Sequence, residues 1–237
     1  MPSPLSIPQR KDRPRLPPLR ALPQLSSDDR QESALYFLDA GIGFAAAHAS
    51  YVDLLVQHYG SSLRVCETVV NEWRHRGTQP SVDGEDLLEG RLRRAGQYLI
   101  SRKRDIWDAM TVPLAKGDEV GVAALQDQLR LLPPVDADKE PNPAHAGECA
   151  TVLVAGRQIT DAQVIILCAN DRKAGELARR YGMPTRSAPH ILLEMSIAGS
   201  ITAEDAYRLH LEGLEVSKPC SDVVDAFADP SAFTANR

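Results

Sequence analysis

Four carboxylates sit where an apolar segment meets a turn or a helix: Asp39 closing ALYFLD, Glu72 in ETVVNEWRHR, Glu148 in HAGECATVLVAG and Asp171 just after QVIILC. An ionised carboxylate withdrawn from water is costly unless a cation or hydrogen-bond donors compensate for it. Four of them gathered at one place would repel, which either raises their pKa values or calls for a divalent cation among them. Hard cations such as Mg²⁺ and Mn²⁺ take oxygen ligands. A bound one lowers the pKa of a water and stabilises charge on a phosphate during in-line displacement. The chemistry on offer, if the fold gathers the four, is metal-dependent hydrolysis of a phosphodiester. Cys66, Cys149, Cys168 and Cys220 are scattered without the spacing of a zinc site, and three of them lie in apolar runs as small buried thiols.

Each acid also has a plainer use. Asp39 precedes a Gly-Ile-Gly turn, and Glu72 has Glu67 as a rival on its own helix. Glu148 near a helix start suits the helix dipole, and Asp171 is a natural N-cap. The joint pattern, rather than any one residue, carries the reading.

The elements that must position them alternate strand with helix. ALYFLD and QVIILC are short continuous apolar runs, the pattern of strands buried on both faces of a parallel sheet. LRVC (63–66) predicts another strand and Pro184–Ser187 an edge strand; Ile106–Leu114 suits either a strand or a short helix. Helices are predicted over Phe44–Tyr59, Glu67–Arg76 with Gly77 as its stop, Asp86–Arg104, Val120–Leu132, Ala146–Gly156, Asp171–Tyr181, Pro189–Ala198 and Thr202–Glu212. This is an α/β domain with a mainly parallel sheet of four to five strands flanked by helices, with extra helices at its C-terminal end. In such sheets ligands bind beyond the carboxyl ends of the strands, near the switch point. Asp39 and Asp171 each leave such an end.

The chain divides into a Pro-rich basic arm (1–33), a domain (34–214) and a loosely ordered tail (215–237). Residues 1–25 hold five basic side chains (Arg10, Lys11, Arg13, Arg15 and Arg20) and seven of the 17 prolines. A stretch so composed cannot pack a core, and could add electrostatic affinity for RNA. With 43% hydrophobic and 25% charged residues the whole is an ordinary globular composition. No apolar run reaches the length of a membrane span, and cysteine usage suits a reducing cytoplasm. Arg91, Arg93, Arg94, Arg102, Lys103 and Arg104 form the densest basic segment, equally readable as helix faces laced with ion pairs. Arg172, Lys173 and Arg179 lie on the helix that follows Asp171 and are the expected substrate contacts. Such residues position a phosphate backbone without reading sequence. Trp73 and Trp107 are expected in the core, and His145 as a loop or capping residue near the site.

LDAG at Asp39, ETVVNEW at Glu72, HAGEC at Glu148 and VIILCANDRKAGELARRYGMP at Asp171 together resemble the PIN domain. That family of metal-dependent ribonucleases includes the toxins of VapC-type toxin–antitoxin pairs. The resemblance runs from about Leu35 to Ile201, with the four acids in the family's order. It implies an endoribonuclease using Mg²⁺ or Mn²⁺ held by Asp39, Glu72, Glu148 and Asp171. It also implies RNA as substrate, a small antitoxin-like protein as inhibitor, and pairing as a homodimer. Where many relatives carry Ser or Thr shortly before the fourth acid, this chain has Cys168-Ala169-Asn170, so Asn170 is the expected supporting oxygen ligand. The chain is also longer than a minimal PIN toxin. A PIN-like module that binds RNA or protein without cleaving is the alternative. A phosphohydrolase with Asp39 as nucleophile lacks the D-x-D spacing it would need.

Overall fold

The computed structural model describes residues 34–81, 84–132, 145–159 and 163–234. The expected basic arm lies outside these, as does the loop 136–143. The described residues hold one sheet of five strands, β1 (Ala34–Leu38), β2 (Leu63–Cys66), β3 (Thr111–Val112), β4 (Val164–Cys168) and β5 (Thr185–Arg186). All neighbours are parallel, in the order β3-β2-β1-β4-β5. The two continuous apolar runs take the middle: β1 is buried along its length and aligns Leu38 with Val65 on one side and Cys168 on the other. The chain steps outward from β1 through β2 to β3, then crosses back to β4. The switch point therefore falls between the carboxyl ends of β1 and β4.

Helices cover the sheet. The helix α1 (Ala40–His48) leaves β1 directly, α2 (Val52–Tyr59) leads to β2, and α3 (Glu67–Thr78) follows β2 without a turn. The expected single helix over 44–59 is instead two. Ser50 takes a left-handed φ of 62°, while Tyr51 N–H donates to Ala46 O (2.9 Å) and Ser50 N–H to Ala47 O (3.4 Å). That is a Schellman cap, and the burial of Tyr51 explains why the chain turns here rather than continuing. The ambiguous stretch 106–114 proves to be both of its options, the end of α5 (Arg104–Met110) and then β3.

Gly77 does not stop its helix; α3 runs on to Thr78. Its glycine serves the crossing with α4 (Leu87–Arg102) instead. A Cβ on Gly77 would stand 2.6 Å from Gln97 N, and one on Gly96 would stand 2.8 Å from Trp73 O, so the two backbones touch. Alanine is the better helix former by about 0.8–1.0 kcal/mol, but overpacking against unyielding backbone costs about 1–3 kcal/mol or more. Gly77→Ala is therefore expected to lower stability by about 1–2 kcal/mol net. A urea midpoint equal to or above the parent's would show that the helices separate freely. Below this crossing Trp73 is fully buried, meets Trp107 in a tilted contact with centroids 5.0 Å apart, and donates Nε1–H to Ala40 O (3.2 Å).

After α6 (Asp118–Arg130) comes α7 (Ala146–Arg157), apolar on all sides and packed across β1, β2 and β4. The chain closes with α8 (Arg172–Arg180), α9 (Ala188–Ile197), α10 (Ala203–Gly213) and a short α11 (Ser221–Ala226). The segment 215–234 is not the loose tail expected. Phe227 and Phe233 are buried and stack 5.1 Å apart, with Phe227 against His190 of α9 and Phe233 against His210 of α10. Two aromatic anchors six residues apart leave no periodic signature, yet they hold the segment's C-terminal part against α9 and α10. Among the described residues no helix is long and apolar enough to cross a membrane.

Candidate active site

Asp39 is the first residue beyond β1, and its N–H still donates to Cys168 O of β4 (2.9 Å), which pins it at the switch point. It is also the N-cap of α1, its Oδ2 accepting from Gly41 N–H (3.3 Å). Asp171, the third residue beyond β4, has the matching role: it caps α8, with Oδ1 accepting from Ala174 N–H (2.7 Å). The plain and the chemical uses of these two aspartates thus coincide. A cap uses part of a carboxylate and fixes its backbone at the carboxyl edge of the sheet. Glu72 comes to the same edge from the second turn of α3, and Glu148 from the first turn of α7. Contact between the two helices is close: a Cβ on Gly147 would lie 3.3 Å from Glu72 Oε2.

All four acids line one cleft of about 260 Å³, together with Phe44, Arg76, Leu92, Asn170, Ser217 and Lys218. The choice between Glu67 and Glu72 is settled by geometry, since Glu67 instead accepts from Leu114 N–H (3.3 Å). Asp39 is only 5% exposed, and among the described residues no Lys, Arg or His side chain bonds it. Its pKa is raised well above the ordinary carboxylate range, first by burial and then by the charges of Glu148 and Glu72. The N–H groups of Ala40 and Gly41 oppose this shift without cancelling it. Glu72 is shifted the same way by burial and by Glu148, with Arg76 pulling against. His145 approaches Glu148 (Nδ1 to Oε1, 3.4 Å), and that hydrogen bond raises its pKa. The neighbouring Cys149 thiol is pushed up to about 12, chiefly by burial, so it stays protonated and serves packing rather than chemistry.

A hard divalent cation fits this set in kind. The donors are carboxylate oxygens, and the most buried of them lacks a counter-charge. As placed, no three His, Cys, Asp or Glu side chains among the described residues form a ready ligand group. The four acids share a cleft.

Asn170 lines the cleft but is occupied. Its Oδ1 accepts from Ala188 N–H (2.9 Å) at the start of α9, and its Nδ2 donates to Ser217 O (3.1 Å) and Oγ (2.9 Å). It acts here as a strut joining three segments, and the oxygen expected as a supporting ligand already accepts one hydrogen bond. Of the expected substrate contacts, Arg172 and Lys173 open α8 beside Asp171 without lining the cleft, and Lys173 lies near enough to His145 to lower its pKa against the larger upward pull of Glu148. Arg179 sits two turns further on, bonded to Glu176 (2.9 Å) and Thr185 (3.4 Å), and is not a cleft residue. The densest basic segment is largely spent on ion pairs. Arg91 pairs with Glu215 (2.9 Å), Arg93 with Glu85 (3.2 Å), Lys103 with Asp53 and Arg104 with Asp108 (3.4 Å). The last is within one helix and Arg93–Glu85 ties α4 to the residue before its own N-cap, while the other two join distant segments.

Arg76, Ser217 and Lys218 are cleft residues that the sequence reading passed over. Arg76 had a signal, being four residues after Glu72 and hence on the same helical face. Ser217 and Lys218 had none, because they lie in an irregular segment between helices.

Comparison with protein-family models gives no match, and no curated protein or solved structure is significantly similar to this chain.

Proposed function

We propose that this protein is a metal-dependent endoribonuclease of PIN-like type, acting on RNA with Mg²⁺ or Mn²⁺. The observation that carries the reading is the convergence of Asp39, Glu72, Glu148 and Asp171 on one cleft at the switch point of a parallel sheet. The resemblance of the four motifs supports it independently. Asp39, Glu72, Glu148 and Asp171 are the residues that would hold the ion. A divalent ion bound there supplies a water of lowered pKa and neutralises charge on the scissile phosphate. The chain's own contribution is to keep the acids in place. The caps of α1 and α8 fix the two aspartates, the α3–α7 contact fixes the two glutamates, and burial of Asp39 strengthens its interaction with any cation that enters. A toxin role would add a partner that covers this cleft, and the cytoplasm is the compartment such a role implies.

The test is cleavage of mixed structured and single-stranded RNA in Mn²⁺, in Mg²⁺ and in chelator. Internal cutting in either metal and none in chelator is the expected result. Equal cutting in chelator would sink the proposal. RNA binding without cutting under all three conditions would mark a binding module instead, the reading that the occupied amide of Asn170 favours.

A further inference from the structure

The segment that follows α10 forms part of the wall of the acid cleft and is strapped down at several points. Glu215 bonds both His48 of α1 and Arg91 of α4 (2.9 Å each). Ser217 receives both hydrogen bonds of the Asn170 amide and packs against Gly41, where a Cβ would come within 2.7 Å of its Oγ. Pro219 is buried and fixes the backbone on the far side. Lys218, held between these anchors, is exposed and lines the cleft. The other cation there, Arg76, is bound to Glu89 (2.5 Å). Lys218 makes no ion pair among the described residues. A cleft edged by four carboxylates would repel an incoming phosphodiester, so a placed, uncommitted ammonium is what a polyanion would need beside the acids.

We infer that Lys218 is the phosphate contact that seats single-stranded RNA across the acid cleft. This rests on the ribonuclease reading and names the side chain that positions its substrate. The ammonium takes a phosphate oxygen next to the scissile bond, and the strap sets its distance from Asp39 and Asp171. Lys218 is a positioning residue and moves no proton.

The test compares the full chain with Lys218→Ala, Lys218→Arg and the control Arg208→Ala. Arg208 is an exposed α10 residue engaged with Asp205 and Glu212. Binding of a fluorescein-labelled single-stranded RNA is followed by anisotropy in chelator across a salt series, and KM and kcat are measured in Mn²⁺. Lys218→Ala is expected to weaken binding about tenfold for RNAs of any sequence and to reduce the salt slope by about one. KM should rise with kcat nearly unchanged, Lys218→Arg should restore most of the loss, and Arg208→Ala should match the parent. If the protein cuts RNA and Lys218→Ala changes neither affinity nor slope, this inference falls and the ribonuclease reading stands. If Lys218→Ala leaves affinity unchanged but lowers the Mn²⁺ needed for half-maximal cutting, Lys218 is a counter-ion of the acids and the inference is overturned. If nothing is cut but Lys218→Ala still weakens RNA binding and lowers the slope, the phosphate contact stands and the ribonuclease reading falls.

Discussion

Asp39→Asn is expected to abolish metal-dependent cutting and, in metal-free buffer at neutral pH, to raise the melting temperature. Both effects come from the same burial. In the cleft Asp39 is almost wholly buried, feels the charges of Glu148 and Glu72, and has only the N–H groups at the start of α1 to steady a negative charge. Its folded pKa is raised above the unfolded value. Below the unfolded value the group is protonated in both states and costs nothing. As pH rises, the unfolded chain releases the proton while the native one retains it, so stability from this group is progressively lost until the folded pKa is passed. Glu72 is shifted the same way and adds to the effect. A neutral amide of the same shape removes that penalty and keeps an oxygen for Gly41 N–H. It also removes the charge that would bind a divalent ion, which is why cutting should fall by about a thousandfold or more, on the scale of losing a charge-stabilising group in a catalytic centre. Thermal melts with and without Mn²⁺ separate the two effects. The parent should gain stability from the metal by mass action, and the variant should gain little. A variant less stable than the parent without metal would mean that Asp39 is held by donors and is not frustrated.

Glu194→Ala should produce the largest loss of stability from one side chain. Glu194 of α9 is 2% exposed; its Oε1 accepts from Arg186 Nε–H (2.8 Å) and its Oε2 from the hydroxyl of Tyr59 (2.7 Å). Arg186 is itself buried. Apart from Glu194 its recorded partner is Thr185 O (3.0 Å), and its Nη2 finds no acceptor among the described residues. Truncating the glutamate would strand a guanidinium in the core and bare a buried hydroxyl. Breaking one side of such a pair costs about 3–5 kcal/mol, against a total that for a domain is about 5–15 kcal/mol. Replacing both charges, as in Arg186→Met with Glu194→Leu, removes the desolvation cost along with the attraction and should recover most of the loss, short of the parent by about 1–3 kcal/mol for the Tyr59 hydroxyl left without its acceptor. Urea unfolding of the three proteins decides it: a loss under about 1 kcal/mol for Glu194→Ala would show that water reaches Arg186.

The sheet was legible because two strands buried on both faces have no choice but to be continuously apolar, and they bear Asp39 and Asp171 at their ends. What stayed hidden depends on contacts between distant segments. The break at Ser50 is driven by burial of Tyr51, and the length of α3 by the Gly77–Gly96 crossing. The order of residues 215–234 rests on Glu215 and Ser217, which find α1, α4 and Asn170, and on two phenylalanines that find α9 and α10. Asn170 was placed in the cleft by its neighbour Asp171, but its partners Ala188 and Ser217 lie 18 and 47 positions away, beyond any local pattern. Arg179 shares a helix with the site but not its end.

The parallel pairing of β1 with β4 joins residues roughly 130 positions apart, Leu38 with Cys168. At about 5–20 residues per second, a ribosome delivers the second of these on the order of ten seconds after the first. During that interval β1 can pair with β2 on one side, while its other edge, and Asp39 with it, waits for β4. Asp171 and the strap bearing Lys218 arrive later still. Asp39 and Glu72 are thus synthesised well before the cleft they line is assembled, and a nascent chain passes most of its synthesis with the four acids apart.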